Sequence, residues 1–189
     1  MGRISLWMQI SLDGIADTQD ATPWPIIDEE LHAPFLEELC DADVFIHGRR
    51  TYELMASFWP TADTEPAISE FYIDFARCWK KTAKLVVSRT LDVVDWNTRV
   101  VRGDPVAEIA ALRTQPDCTA VVFGGLRTAA TLMRHGLVDD YQLFIHPVIL
   151  GDGEPLLAPS QRHHDLELVD TSTYDSGVVR VHYRHPAPH

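Results

Sequence analysis

Three short stretches of this chain place glycine, arginine and hydroxyl side chains directly after runs of β-branched and aromatic residues. The first reads Ala120-Val121-Val122-Phe123-Gly124-Gly125-Leu126-Arg127-Thr128. Its apolar run stops at two glycines and passes into helix-forming Ala129-Ala130-Thr131-Leu132-Met133. Paired glycines remove side chains where another backbone or a phosphate must come close. The helix start that follows offers unpaired N–H groups to an anion. The second stretch is Val44-Phe45-Ile46-His47-Gly48-Arg49-Arg50-Thr51, and the third is Leu85-Val86-Val87-Ser88-Arg89-Thr90. Arginine grips phosphate through a planar, bidentate fork. Cations at a helix start oppose the helix dipole and call for an anion; solvated surface charge is the alternative reading of Arg49, Arg50 and Arg127. Three strand ends meeting at phosphate is the layout of a nucleotide cleft in an open α/β sheet.

Composition narrows the partners. The 189 residues carry a net charge of −12 and are 46% hydrophobic, enough to bury a core without staples. The acidic balance argues against nucleic acid and against an anionic membrane surface. No run of about twenty apolar residues is present to span a bilayer, and the start lacks the apolar stretch and cleavage site of a signal peptide. Cys40, Cys78 and Cys118 are odd in number and widely spaced. They read as reduced packing residues of a cytoplasmic protein, not as a disulfide frame or a zinc site. The nine histidines show no i, i+4 helical pairing, so no metal site is expected.

The elements that must position these residues alternate along the chain. Strands are expected over residues 3–10, 44–47, 85–88, 99–101, 119–123 and 140–146. Helices are expected over 28–39, from about Thr51, over 68–79, over 105–113 behind an Asp104 cap with Pro105 first, and over 125–134. Pro34 should bend or split the first helix. Residues 166–174 and 178–184 alternate around Asp175-Ser176-Gly177, a hairpin signal. The fold class that follows is α/β: a mostly parallel central sheet flanked by helices, closed by an antiparallel C-terminal hairpin. No repeat or linker divides residues 1–189, so one domain is expected.

The order of Pro23-Trp24, Gly48-Arg49-Arg50-Thr51-Tyr52-Glu53, Val87-Ser88-Arg89 and Gly124-Gly125 resembles the dihydrofolate reductase fold. Ser11-Leu12-Asp13-Gly14 and Pro147-Val148-Ile149-Leu150-Gly151-Asp152-Gly153 resemble more closely the reductase domain of the bacterial riboflavin-biosynthesis deaminase-reductase and its stand-alone relatives. The likeness runs from Ile4 to about Tyr183, and the zinc deaminase signature of the bifunctional enzyme is absent. The resemblance implies an NADPH site. Gly48, Arg49, Arg50 and Thr51 would meet the pyrophosphate and the 2′-phosphate. Val87, Ser88 and Arg89 would form the second strand end around the adenosine, with Arg102 beside the adenine. Gly124, Gly125, Leu126, Arg127 and Thr128 would form the turn under the pyrophosphate and nicotinamide, Leu126 departing from the family's three-glycine form.

On the substrate side the resemblance implies that Trp24 belongs to the loop over the nicotinamide. It places Glu29 where those enzymes hold a single pocket acid, although acids in a helix first turn are favoured anyway. Asp13 matches a loop acid near the nicotinamide end; shaping the turn with Gly14 is its alternative. His146 ends a central strand, where a satisfied core histidine is the plainer reading. The activity implied is NADPH-dependent reduction of a small pteridine- or pyrimidine-like heterocycle, as in folate or riboflavin biosynthesis. A non-catalytic nucleotide-binding module that keeps the same cleft is the alternative. The resemblance also implies a homodimer joined through late strands, with Leu143, Ile145, Val148 and Ile149 supplying apolar surface.

Overall fold

The computed structural model describes residues 1–17, 29–64, 68–157 and 163–186. β1 (Arg3–Ser11) buries Ile4, Leu6, Met8 and Ile10 in one layer and Trp7 in the other, as a central parallel strand covered on both faces should. A short β2 (Ile15–Asp17) follows. The expected first helix is split at its proline: α1 (Glu29–Pro34) gives way to a π-helical turn, Phe35–Leu39. Proline lacks the N–H of the i→i−4 ladder. The wider turn accommodates that loss and keeps Phe35 and Leu39 buried beside Leu31.

β3 (Val44–Gly48) leads into α2 (Arg49–Ala62), which begins two residues before the sequence suggested. α3 (Glu70–Lys81) packs against α2 through Phe75 and Tyr72 on Trp59. Lys84 ties off α3: its buried ammonium donates to the carbonyls of Trp79 and Thr82 and lies over the Trp79 ring. β4 (Ala83–Val87), β5 (Thr98–Val101), α4 (Pro105–Ala110) with a 3₁₀ turn (Ala111–Thr114), β6 (Thr119–Phe123), α5 (Leu126–Arg134) and β7 (Asp140–His146) complete the alternating part. β8 (Glu154–Pro155) pairs with β2, a contact no sequence signal announced. The tail is the expected hairpin of β9 (Glu167–Thr173) and β10 (Val179–Arg184).

The strands lie in the order β5-β4-β3-β6-β1-β7-β10-β9. The first six are mutually parallel, and β10 and β9 run antiparallel at the edge. From β3 the chain crosses outward to β4; from β6 it crosses the other way, over β1, to β7. The crossovers therefore diverge between β3 and β6, which makes the carboxyl ends of those two strands a topological switch point. Among the described residues no helix is long and apolar enough to cross a membrane.

The cysteine expectation is corrected. Cys40 and Cys78 form a disulfide with Cα atoms 5.5 Å apart, and Cys118 alone is a free, buried thiol. Cys40 follows the π-helical turn and Cys78 lies on α3, two elements that pack together. Their 38-residue separation hid a contact that only tertiary packing creates.

Candidate active site

At the switch point the chain meets itself at glycine. Gly48 is the N-cap of α2, and Gly125, at φ 93°, is the N-cap of α5. A Cβ on Gly125 would stand 2.7 Å from the Gly48 nitrogen, and one on Gly124 would stand 2.6 Å from Thr51 Cγ2. The glycines thus bring two helix N-termini side by side. Neither cap makes a side-chain hydrogen bond, and neither first turn contains an acid. Arg49 and Arg50 open α2 instead, and Arg127 is exposed in the first turn of α5. Open N–H groups, two neighbouring positive dipole ends and nearby guanidinium groups are the features that favour an anion. Thr128 is buried, with a Cβ on Gly48 falling 3.4 Å from its hydroxyl; Leu126 is half-buried above the core.

The neighbouring strand end closes one flank. Arg49 donates through Nη1 to Thr90 Oγ1 at 2.8 Å and through Nε to Glu53 at 2.8 Å, which links the start of α2 to the turn after β4. Val87 is the last residue of β4. The buried Ser88 hydroxyl accepts from the backbone N–H of Thr90 and Leu91, fixing that turn and leaving Arg89 exposed at its tip. Arg102 braces the same turn by donating to the Leu91 carbonyl at 2.7 Å. Arg50 is 87% exposed and reaches Asp17 at 3.4 Å.

The other flank is a ledge. β1 pairs with β6 only as far as Trp7–Phe123, but with β7 as far as Ser11–His146. Residues 8–11 of β1 and 143–146 of β7 therefore project past the glycine turn. On this ledge the Nε2 proton of buried His146 goes to the Gln9 side-chain oxygen at 2.6 Å. Gln9 escaped the sequence reading, since only strand register reveals where it stands. The Asp13 carboxylate accepts from Ser11 Oγ at 2.6 Å and from the N–H groups of Gly151 and Leu150 at 2.8 and 3.2 Å. Those donors hold its pKa down to about 2. Asp13 is therefore a fixed anion that staples loop 147–151 to the end of β1. The two motifs that suggested the resemblance are in direct contact.

Glu29 is the first residue of α1; Trp24 lies outside the described residues. His47 is a second residue the sequence reading passed over. It is fully buried, its Nδ1 lies 2.6 Å from the Phe123 carbonyl, and burial pushes its pKa down to about 4. Among the described residues no group of three or more His, Cys, Asp or Glu side chains is placed to hold a metal ion.

The chain is an open α/β protein whose switch point, where such sheets place their ligands, presents two uncapped helix N-termini beside arginines. More particularly, residues 3–180 match the RibD C-terminal domain family, and the chain belongs to that family. It is 29% identical over 185 residues to the uncharacterized protein YyaP of Bacillus subtilis (strain 168), covering 96% of this chain and 94% of that one. Among solved structures, a putative riboflavin biosynthesis protein from Shewanella sp. PV-4 matches with a TM-score of 0.71 at 18% identity, over 98% of this chain and 99% of that one. A pyrimidine reductase-like protein from Corynebacterium diphtheriae matches at 0.64 and 13% identity, over 98% and 92%. The diaminohydroxyphosphoribosylaminopyrimidine deaminase/5-amino-6-(5-phosphoribosylamino)uracil reductase of Thermotoga maritima matches at 0.64 and 15% identity. There the alignment covers 98% of this chain but 57% of that longer one. These likenesses show the fold that the sequence resemblance anticipated.

Proposed function

We propose that this chain is an NADPH-dependent oxidoreductase acting on a small pyrimidine- or pteridine-like heterocycle. The observation that carries the reading is the pair of uncapped helix N-termini at Gly48 and Gly125, with arginines where acids are normally favoured. The residues fit a dinucleotide: a pyrophosphate would supply the missing acceptors, and Arg49, Ser88 and Arg89 stand together where a 2′-phosphate would separate NADPH from NADH. When bound, the nicotinamide supplies the hydride. The chain's own residues orient and shield: Asp13 stays ionised and anchors loop 147–151, and the Gln9–His146 pair offers hydrogen-bonding groups on the ledge. Since Asp13 cannot deliver a proton near neutral pH, that role is assigned to Glu29, which would protonate the nitrogen of a reduced C=N bond. The heterocycle class follows the related proteins that carry pyrimidine or uracil reductase names.

Titration with both cofactors tests the first half of this reading. NADPH is expected to bind at least about tenfold more tightly than NADH, and equal affinities would remove the 2′-phosphate assignment. Turnover is tested by NADPH oxidation with aminouracils and dihydropteridines. There Glu29→Gln should lower the rate and leave the chain folded. Tight binding with no oxidation in such a panel would favour the non-catalytic module.

We also propose that the chain is a homodimer. Ile145, Leu143, Val179, Val181 and Tyr183 share one face of the β7–β10 pair and are only half-buried, and Ile149, three residues past the end of β7, is 70% exposed. A two-fold contact there would cover them. Sedimentation at micromolar concentration is expected to give a dimer, and a clean monomer would reject it.

A further inference from the structure

The backbone ladder between β3 and β6 stops short of the site it serves. Its last paired residues are Ile46 and Val122; His47 and Phe123, next on each strand, are joined through a side chain instead. The imidazole Nδ1–H of His47 donates to the Phe123 carbonyl at 2.6 Å. That carbonyl immediately precedes Gly124, and His47 immediately precedes Gly48, so the bond ties together the residues that launch both helix N-termini. A side-chain donor reaches farther than a backbone N–H, so the strands can splay while the carbonyl stays satisfied. The ring is held firmly there: it is 0% exposed and packs with Phe45 and Phe123, with centroids 6.0 and 5.8 Å away. Its Nε2 is buried with no hydrogen-bond partner among the described residues. A polar ring with one nitrogen left unsatisfied is a poor choice for packing alone, which makes the Nδ1 bond the reason for a histidine.

We propose that His47 is a positioning residue of the nucleotide crevice, holding the Gly124–Gly125 turn against Gly48 through the Phe123 carbonyl so that the turn meets the pyrophosphate and nicotinamide. The proposal rests on the NADPH reading above. It assigns His47 to one half of the crevice: the turn after β6, and not the Arg49–Ser88–Arg89 flank.

Calorimetric titration of three proteins with NADPH and with adenosine 2′,5′-bisphosphate tests it, alongside thermal unfolding. His47→Phe keeps the volume and removes the donor; His47→Asn puts an amide N–H close to where Nδ1–H stood. His47→Phe is expected to bind NADPH about five- to tenfold more weakly, to bind the bisphosphate as the unaltered chain does, and to be rescued largely by Asn. Equal losses for both ligands, or no loss for NADPH, or an Asn variant as weak as Phe, would overturn the proposal. Should His47→Phe not fold, the imidazole Nδ1–H resonance of the unaltered chain decides. It is expected to shift with NADPH and not with the bisphosphate, and the same response to both rejects the assignment. An unaltered chain that binds the bisphosphate but gains nothing from the rest of NADPH also rejects it while sparing the adenosine site. A chain that binds neither ligand overturns the cofactor reading and this proposal with it.

Discussion

The start of α4 and the starts of α2 and α5 solve the same problem in opposite ways. At α4 the Asp104 side chain accepts from the N–H groups of Val106 and Ala107 at 2.9 and 3.3 Å, Pro105 opens the helix, and Glu108 lies in the first turn. A side-chain cap, a leading proline and a first-turn acid are all present. At α2 and α5 none is: glycine caps without a side chain, no acid in the first turn, and arginine in its place. Relative to a side-chain cap, each glycine forgoes a few tenths of a kcal/mol of local stability, and each arginine in place of a first-turn acid adds to that loss. One helix is finished from within, whereas the other two are left open, which is where the proposed reading puts an anion.

The contrast breaks most sharply at Gly125. Its φ of 93° is strained for any other residue, and a Cβ there would meet the Gly48 backbone at 2.7 and 2.9 Å. Gly125→Val is expected to weaken NADPH binding by more than about a hundredfold, well beyond what any accompanying loss of stability accounts for. Titration at a temperature far below the variant's unfolding midpoint checks it. A variant that binds normally would show that the two open helix ends do not share one ligand.

The open ends also stand over the acid-sensitive part of the molecule. His47 is held at about 4 by burial, against an ordinary 6.5. Between those values the unfolded chain takes up a proton that the folded chain refuses. Stability is therefore full above pH 6.5, falls as pH drops toward 4, and levels off below. A difference of that size corresponds to about 3 kcal/mol, measurable as a falling urea midpoint that His47→Asn should flatten. Asp13, depressed from 3.8 to about 2 by its three donors, adds a later loss as pH falls from about 4 to 2, with loop 147–151 released from β1. An acid transition insensitive to the His47 substitution would move the weak point elsewhere.

The arginines sharpen the comparison further. Arg49 is held by Glu53 and Thr90 beside the Ser88–Thr90 turn. Arg49→Ala and Arg89→Ala are each expected to cost about 1.5–3 kcal/mol in NADPH binding and little in NADH binding. Titrations with the two cofactors check this, and equal losses for both would place these arginines at the pyrophosphate instead.

What the sequence disclosed and what it hid divide along the same line. The open helix ends were legible because their residue types conflict with local rules: paired glycines after an apolar run, and arginines where a helix start prefers acids. The succession of strands and helices along the chain and the break at Pro34 were legible because hydrophobic periodicity and a missing N–H act locally. The ledge was not. Gln9 faces His146 only because β1 overshoots β6 while staying paired with β7, and no local signal records that offset. Asp13 was visible as a turn residue, but its partners stand 137 and 138 positions away. The Cys40–Cys78 bond and the side-chain bridge from His47 to Phe123 are likewise properties of the packed state.

The smallest expected effect is the control on which the comparison depends. Asp104 caps α4 after β5, among the same set of strand ends, yet it is a finished cap facing no glycine turn. Asp104→Ala removes an acceptor shared by two N–H groups and an acid at a positive dipole end. It should lower stability by about 1 kcal/mol. NADPH affinity should not change, because the helix start it opens is not one of the two that meet at Gly48 and Gly125. Chemical denaturation and cofactor titration on the same preparation separate the two quantities. If Asp104→Ala weakened NADPH binding as much as it weakened the fold, capped and uncapped ends would be equivalent contributors to one stability, and the division between them would fail. If it cost stability alone, the open ends of α2 and α5 would stand as a functional choice made against local stability.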